Sequence, residues 1–213
     1  MKPTVLAVLL VLAPVSVGVA AEPPAVEGAA TAILADQPRE VVEQLFEKRV
    51  VIAESRDDGG DEARFLQAFV LFEQPADRVF ELLLQTARQA EYQTDLKEAI
   101  TLEEDADGNL DEHHLKIAFF SIVYRVRHHW DRDARRLWWS LDPDFDNDVR
   151  KVEGFWELHA LGEDRTLGRY GTVIDVGAAL PDFLEASLTR RSVPAAMERV
   201  RRWVDSGGTF RPD

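Results

Sequence analysis

Between residues 99 and 177 apolar and polar residues alternate in short runs, and the turns between them are rich in Asp, Asn and Gly. A period of two marks strands that bury one face and wet the other. "AITLEED" and "LDEHHLKIAF" flank Ala106-Asp107-Gly108-Asn109, and "SIVYRVRHHWD", "RRLWWSLD", "VRKVEGFWELHAL" and "RYGTVIDVG" follow. The pattern predicts an antiparallel meander. Tyr124, Val126, His128 and Trp130 share one face of their strand, and Leu137, Trp139 and Leu141 one face of the next. Val152, Gly154, Trp156 and Leu158 do so on the third, and Tyr170, Thr172, Ile174 and Val176 on the fourth. Together these faces make an apolar, aromatic surface that also holds hydroxyls and an imidazole. The opposite face carries most of the charge.

The period changes on either side of this region. Asp36 is placed as an N-cap with Pro38 in the first turn, and Val41, Val42, Leu45 and Phe46 recur at helical spacing to about Lys48. "RVVIAES" and "ARFLQAFVLF" read as strands around "RDDGGDE", whose adjacent glycines can take positive φ. Gln74-Pro75-Ala76-Asp77 ends the second strand and opens a helix with Val79, Phe80, Leu83 and Leu84 inward. A second short helical piece, "TARQAEYQ", follows. After Leu180-Pro181 a long helix runs to Val204, with apolar stripes at Phe183-Leu184-Leu188 and Met197-Val200-Val204 and a kink expected at Pro194. Arg190-Arg191 and Arg199-Arg201-Arg202 are expected on its wet side. Ser206-Gly207-Gly208 ends the helix and leaves a short tail, 206–213.

Lys2, the apolar run Val5 to Val17, and small residues at 18–21 read as a signal peptide over residues 1–21. An uncleaved anchor is the alternative, although the run is short beside the ~20 residues of a membrane span. Residues 22–35 read as a linker, residues 36–205 as one domain. Export would place the protein in the periplasm or outside the cell, where a chain without cysteine must fold on its core alone. The formal charge is −14, so phosphate backbones and anionic lipid surfaces repel it and nucleic acid is not an expected partner.

The order of elements is strand, two short helices, a run of antiparallel strands, and one long C-terminal helix. With "QPADRVFELL", "VEGFWELHALGEDRTLGRYGTVID" and "LPDFLEASLTRRSVPAAMERVRRWV", it resembles the START-like superfamily over residues 48–205. That superfamily includes START lipid-transfer domains, polyketide cyclase-like proteins and pollen-allergen-like proteins. Thr166 and Tyr170 occupy its Thr-x-x-x-Tyr positions. The glycine-rich loop of the allergen branch is missing, and the N-terminal extension of the large animal domains is shortened. The resemblance implies an α+β, helix-grip fold: a curved sheet of about six or seven strands wrapped around the last helix. It also implies a cavity for an apolar ligand, lined by Tyr124, Val126, His128, Trp130, Trp139, Trp156, Tyr170, Thr172, Leu184 and Leu188. A solid core packed by Trp139, Trp156 and Leu184 is the competing reading.

Candidate chemistry is sparse. His113-His114 and His128-His129 are neighbours on strands, so only one of each pair can reach a common site. Two inward histidines lack a third metal ligand by spacing, and no metal or cofactor is expected. His128 can serve as a base, as a hydrogen-bond partner for a ligand, or as a satisfied structural residue. No nucleophile elbow, zinc motif or phosphate loop occurs. The expectation is an exported, non-catalytic carrier of a lipid or other hydrophobic small molecule, with transient membrane contact for ligand exchange. The alternative is a cyclase- or hydrolase-type enzyme using a polar pair such as His128 with Tyr170.

Overall fold

The computed structural model describes residues 28–54, 66–175 and 182–212, with side chains in the last range from residue 193 onward. The strands are β1 (Val50–Glu54), β2 (Leu66–Phe72), β3 (Leu96–Glu104), β4 (Gly108–Ile117), β5 (Phe120–Asp131), β6 (Arg136–Leu141), β7 (Lys151–Ala160) and β8 (Thr166–Asp175). They form one antiparallel sheet in the order β1-β2-β8-β7-β6-β5-β4-β3. The sheet is therefore wider than the six or seven strands expected. β1 extends it because Val50 to Glu54 pair in register with Leu66 to Val70.

Helices α1 (Ala29–Ala35), α2 (Arg39–Lys48), α3 (Ala76–Leu83) and α4 (Asp182–Asp205), with a 3-10 helix at Thr86–Glu91, complete the described chain. α3 and the 3-10 helix carry the chain from β2, inside the sheet, to β3 at its far edge. Val79, Phe80, Leu82 and Leu83 of α3 are buried, as the helical spacing predicted for three of them; Leu84, the fourth, is half-buried. α4 is one helix through Pro194. Val200, Trp203 and Val204 pack it on Val70, Phe72 and Trp156 of the sheet. Apolar burial of this kind contributes ~25 cal/mol per Å2.

Three local expectations need correction. Residues 29–35, expected in a linker, form α1, because Ala30 and Leu34 bury against Phe69, Leu71 and Leu167 on the sheet's other face. Asp36 closes α1, its N–H bonded to the Ala32 carbonyl, and is not the N-cap of α2; that helix starts after Pro38, whose ψ of 139° precedes the first turn. The tail after α4 is also part of the fold. Gly207 and Gly208, at φ +69° and +87°, turn the chain back by a route that favours glycine. The Gly208 carbonyl then accepts from Arg88 Nη2 at 2.8 Å, and Phe210 lies under the Arg202 guanidinium. Residues 1–27, and with them the signal peptide, lie outside the described residues, as do the "RDDGGDE" turn and Gly177-Ala178-Ala179. Among the described residues no helix is long and apolar enough to cross a membrane.

One glycine sets the shape of the inner wall. A Cβ at Gly154 would stand 2.5 Å from both the Gly171 carbonyl oxygen and the Trp139 ring. Gly154→Ala should therefore cost about 1–3 kcal/mol of stability by overpacking, read from urea denaturation. A loss below about 0.5 kcal/mol would mean that the wall yields to a methyl group.

Candidate functional site

The inner faces of β4 to β8, the 3-10 helix and α4 do not meet everywhere. A cavity of about 300 Å3 remains between them. Its sheet wall is a run of rings: Trp156 lies 4.8 Å from Tyr170, Tyr170 5.7 Å from Trp139, and Trp139 6.3 Å from His128. Edge-to-face and tilted contacts of this kind are favourable beyond the area they bury. The opposite wall is aliphatic, from Leu83, Val193, Ala196, Met197 and Val200.

A polar strip runs along β4 and β5, where register places Asn109 opposite His128 and His113 opposite Tyr124. The Asn109 amide donates to Thr86 Oγ1 at 2.6 Å, so its oxygen faces His128 and accepts from Nδ1 at 2.9 Å. Nε2 of His128 is then left as an acceptor. Asp111, fully buried, accepts from the Thr101 hydroxyl at 2.6 Å, and its second oxygen stands 3.6 Å from His128 Nδ1. His113 Nδ1 meets the Tyr124 hydroxyl at 3.3 Å, while its Nε2 is buried with no protein partner.

Burial decides the charge of this strip. Desolvation pushes His128 down to about 3 and His113 down to about 4, against a smaller opposing pull from Asp111. Burial also raises the Tyr170 hydroxyl to about 12 and pushes Tyr124 well above its ordinary value. Both imidazoles are thus neutral near pH 7, and both phenols keep their protons. Neutral donors and acceptors can orient a polar group on a ligand. An imidazole titrating near 3 is poorly matched to proton transfer at neutral pH.

The structure brings Tyr124, Val126, His128, Trp139, Trp156, Tyr170 and Thr172 onto the cavity lining. It places Trp130 elsewhere: its indole N–H donates to the Ala106 carbonyl at 2.8 Å, and its ring packs in the main core with Leu137 and Leu158. Trp130 is further along β5 than the cavity reaches. The side chains of Leu184 and Leu188 lie outside the described residues. His128 and Tyr170, the example of a polar pair given for an enzymatic reading, both lie against the Trp139 ring. Arg199, expected on the wet side of α4, lines the cavity with its Nε covered. Among the described residues no three His, Asp or Glu side chains are grouped to hold a metal ion.

Sequence reasoning missed His113, Gln89, Gln93 and Arg199. For His113 the alternation of "LDEHHLKIAF" held the signal, but choosing the inward histidine needs the register with β5. Nothing in the sequence orients the 3-10 helix that carries Gln89.

No family model matches the chain, and no curated protein matches it. Solved structures do. A STAR-related lipid transfer protein from Xanthomonas axonopodis superposes with a TM-score of 0.64 at 12% identity, over 74% of this chain and 94% of that one. A human lipid transfer and protein localization domain, StarD13, gives 0.58 at 14% identity, over 78% and 97%. The Zhui aromatase/cyclase of a Streptomyces species gives 0.55 at 21% identity, over 70% and 100%. The chain has the START-like fold. Its helix-grip arrangement, expected from the order of elements, is present with a broader sheet, and α1 and α2 add a layer on the outer face.

The neutral histidines make a pH dependence. Each has its folded pKa below the unfolded value near 6.5, so the unfolded state binds more protons and stability falls as pH drops below about 6.5. The loss continues until the folded values near 4 and 3 are reached. Between about pH 6.5 and 5, above the carboxylate range, each contributes up to ~1.4 kcal/mol per pH unit. Chemical denaturation across that window should show the slope, and His113→Asn should flatten it. An unchanged slope in that variant would assign the effect to other groups.

Proposed function

We propose that the protein binds, and carries, a hydrophobic small molecule in this cavity. The observation that supports the reading best is the hollow itself: about 300 Å3 lined by rings on one side and mostly by aliphatic side chains on the other. That volume lies at the lower end of the range for small-molecule sites, ~300–1,000 Å3. The lining has the composition of such sites, apolar with a few placed polar groups. The lipid transfer and aromatase/cyclase proteins that share the fold are in keeping with an apolar ligand.

Carrying is favoured over turnover by the protonation states. A reaction needs a base or acid poised near the working pH, and burial holds both cavity imidazoles far below it. An exported setting, for which the apolar run Val5 to Val17 argues, would suit a carrier, since shielding apolar cargo from water recovers ~25 cal/mol per Å2. Exchange of such cargo would involve transient contact with a membrane.

Purified protein extracted with organic solvent and examined by mass spectrometry should release one recurrent apolar compound. Ala196 lines the cavity on α4, so Ala196→Phe should fill the void and abolish ligand uptake while leaving the melting temperature close to that of the wild type. A protein that is always empty and ignores a broad panel of apolar compounds would defeat the proposal. So would an Ala196→Phe variant that binds as the wild type does.

A further inference from the structure

We infer that the cavity's ligand is a compact hydrophobic acid whose carboxylate is held by Arg199, an assignment that rests on the reading of the cavity as a hydrophobic-ligand site. The chain has 39 acidic and 25 basic residues, and its arginines generally find carboxylates. Two residues along α4, Arg201 bridges Glu198 and Asp205. Arg127 pairs with Glu103 and Arg169 with Glu157 across the sheet. Arg199 differs. It lines the cavity, yet among the described residues no carboxylate lies within ion-pair distance of it. Among the described residues its one hydrogen bond is a long one, from Nη2 to Gln93 Oε1 at 3.3 Å, and Nε is buried without a partner there.

A guanidinium offers five N–H donors in a planar fork that matches a carboxylate. Nε, covered beside the hollow with no acceptor among the described residues, has lost water without gaining a partner, while the rest of the half-buried guanidinium is free to turn to an incoming group. A carboxylate entering with the ligand supplies that partner. Gln93 is braced for the role, its own Nε2 donating to the Ala196 carbonyl at 3.4 Å, and so holds the guanidinium in place. Arg199 is also the only cation on the described lining, since His113 and His128 are neutral.

Two features narrow the class. Asp95 is on the same lining and makes no ion pair with Arg199, so its carboxylate disfavours a doubly charged head such as a phosphate monoester. The cavity holds about ten water volumes, at roughly 30 Å3 each. That is the scale of an acid of on the order of ten carbons, well below a two-chain lipid. The ring wall and the methyl wall accept either a flat aromatic body or an alkyl chain.

The test uses the full chain and matched neutral and acidic probes: decanol with decanoate, and naphthol with naphthoate, titrated near neutral pH and followed by tryptophan fluorescence. Each acid should bind about tenfold or more tightly than its neutral partner. Arg199→Gln should lose that margin while binding the two alcohols as the wild type does, and Arg199→Lys should keep part of it. The ligand-free Arg199→Gln protein should melt no lower than the wild type, and decanoate should raise the melting temperature of the wild type alone. Equal binding of acid and alcohol by the wild type, or a margin that survives in Arg199→Gln, overturns the carboxylate assignment and leaves the hydrophobic site standing. If neither pair binds, the carboxylate assignment falls, and the broad panel of apolar compounds decides the hydrophobic site.

Discussion

Indole rings packed close against glycine backbone are the constraint on which the shape of the inner wall depends. Trp139 lies over Gly154, and Trp156 lies against Gly168 with Phe72 beside it. A Cβ at Gly154 would collide with Trp139 and the Gly171 carbonyl, and one at Gly168 with Phe72 and, less closely, Trp156, so neither position leaves room for a side chain behind these rings. Because the glycines let the rings recline, their bulk lines the sheet and does not fill the gap. A packed interior normally tolerates few voids. Here the void persists because the aromatic surface is spent on the wall.

The polar strip on β4 and β5 follows from the same geometry. Once the sheet curls around the cavity, Asn109, Asp111, His113 and His128 are drawn inside, and each must find partners or stay neutral. Thr86 on the 3-10 helix and Thr101 on β3 supply partners for Asn109 and Asp111. The imidazoles remain uncharged. The result is a wall that can orient a ligand by hydrogen bonds and adds no positive charge, which leaves Arg199 on α4 as the one cationic point of the described lining.

Much of this was legible in the sequence where side-chain periodicity decides the outcome. The alternation in β5 to β8 identified the inner face, and the glycine-containing hairpin between β3 and β4 stands where its turn residues lie. What escaped depends on contacts distant in sequence. α1 has only alanines and a few larger apolar residues to announce it; it is helical because Leu34 has Phe69 and Leu71 to bury against. His113 could be chosen over His114 only with the register to β5 in hand. Arg199 resembled any exposed helical arginine, and neither its covered Nε nor its contact with Gln93, more than a hundred residues earlier, leaves a mark on the local sequence. Trp130 obeyed the alternation but lies past the end of the cavity, a matter of distance along the strand that period-two reasoning does not measure.

The clasp at the end of α4 bears on how the molecule assembles. Asp205 accepts from the Glu73 N–H, the Gln74 amide reaches the Asp205 carbonyl, and Arg88 reaches the Gly208 carbonyl. These bonds join parts of the chain separated by 120 to 132 residues. Closing loops of that length carries an entropy cost that local contacts do not. The end of α4, the helix that lines one side of the cavity, is therefore fixed by contacts that only the assembled sheet and the 3-10 helix supply.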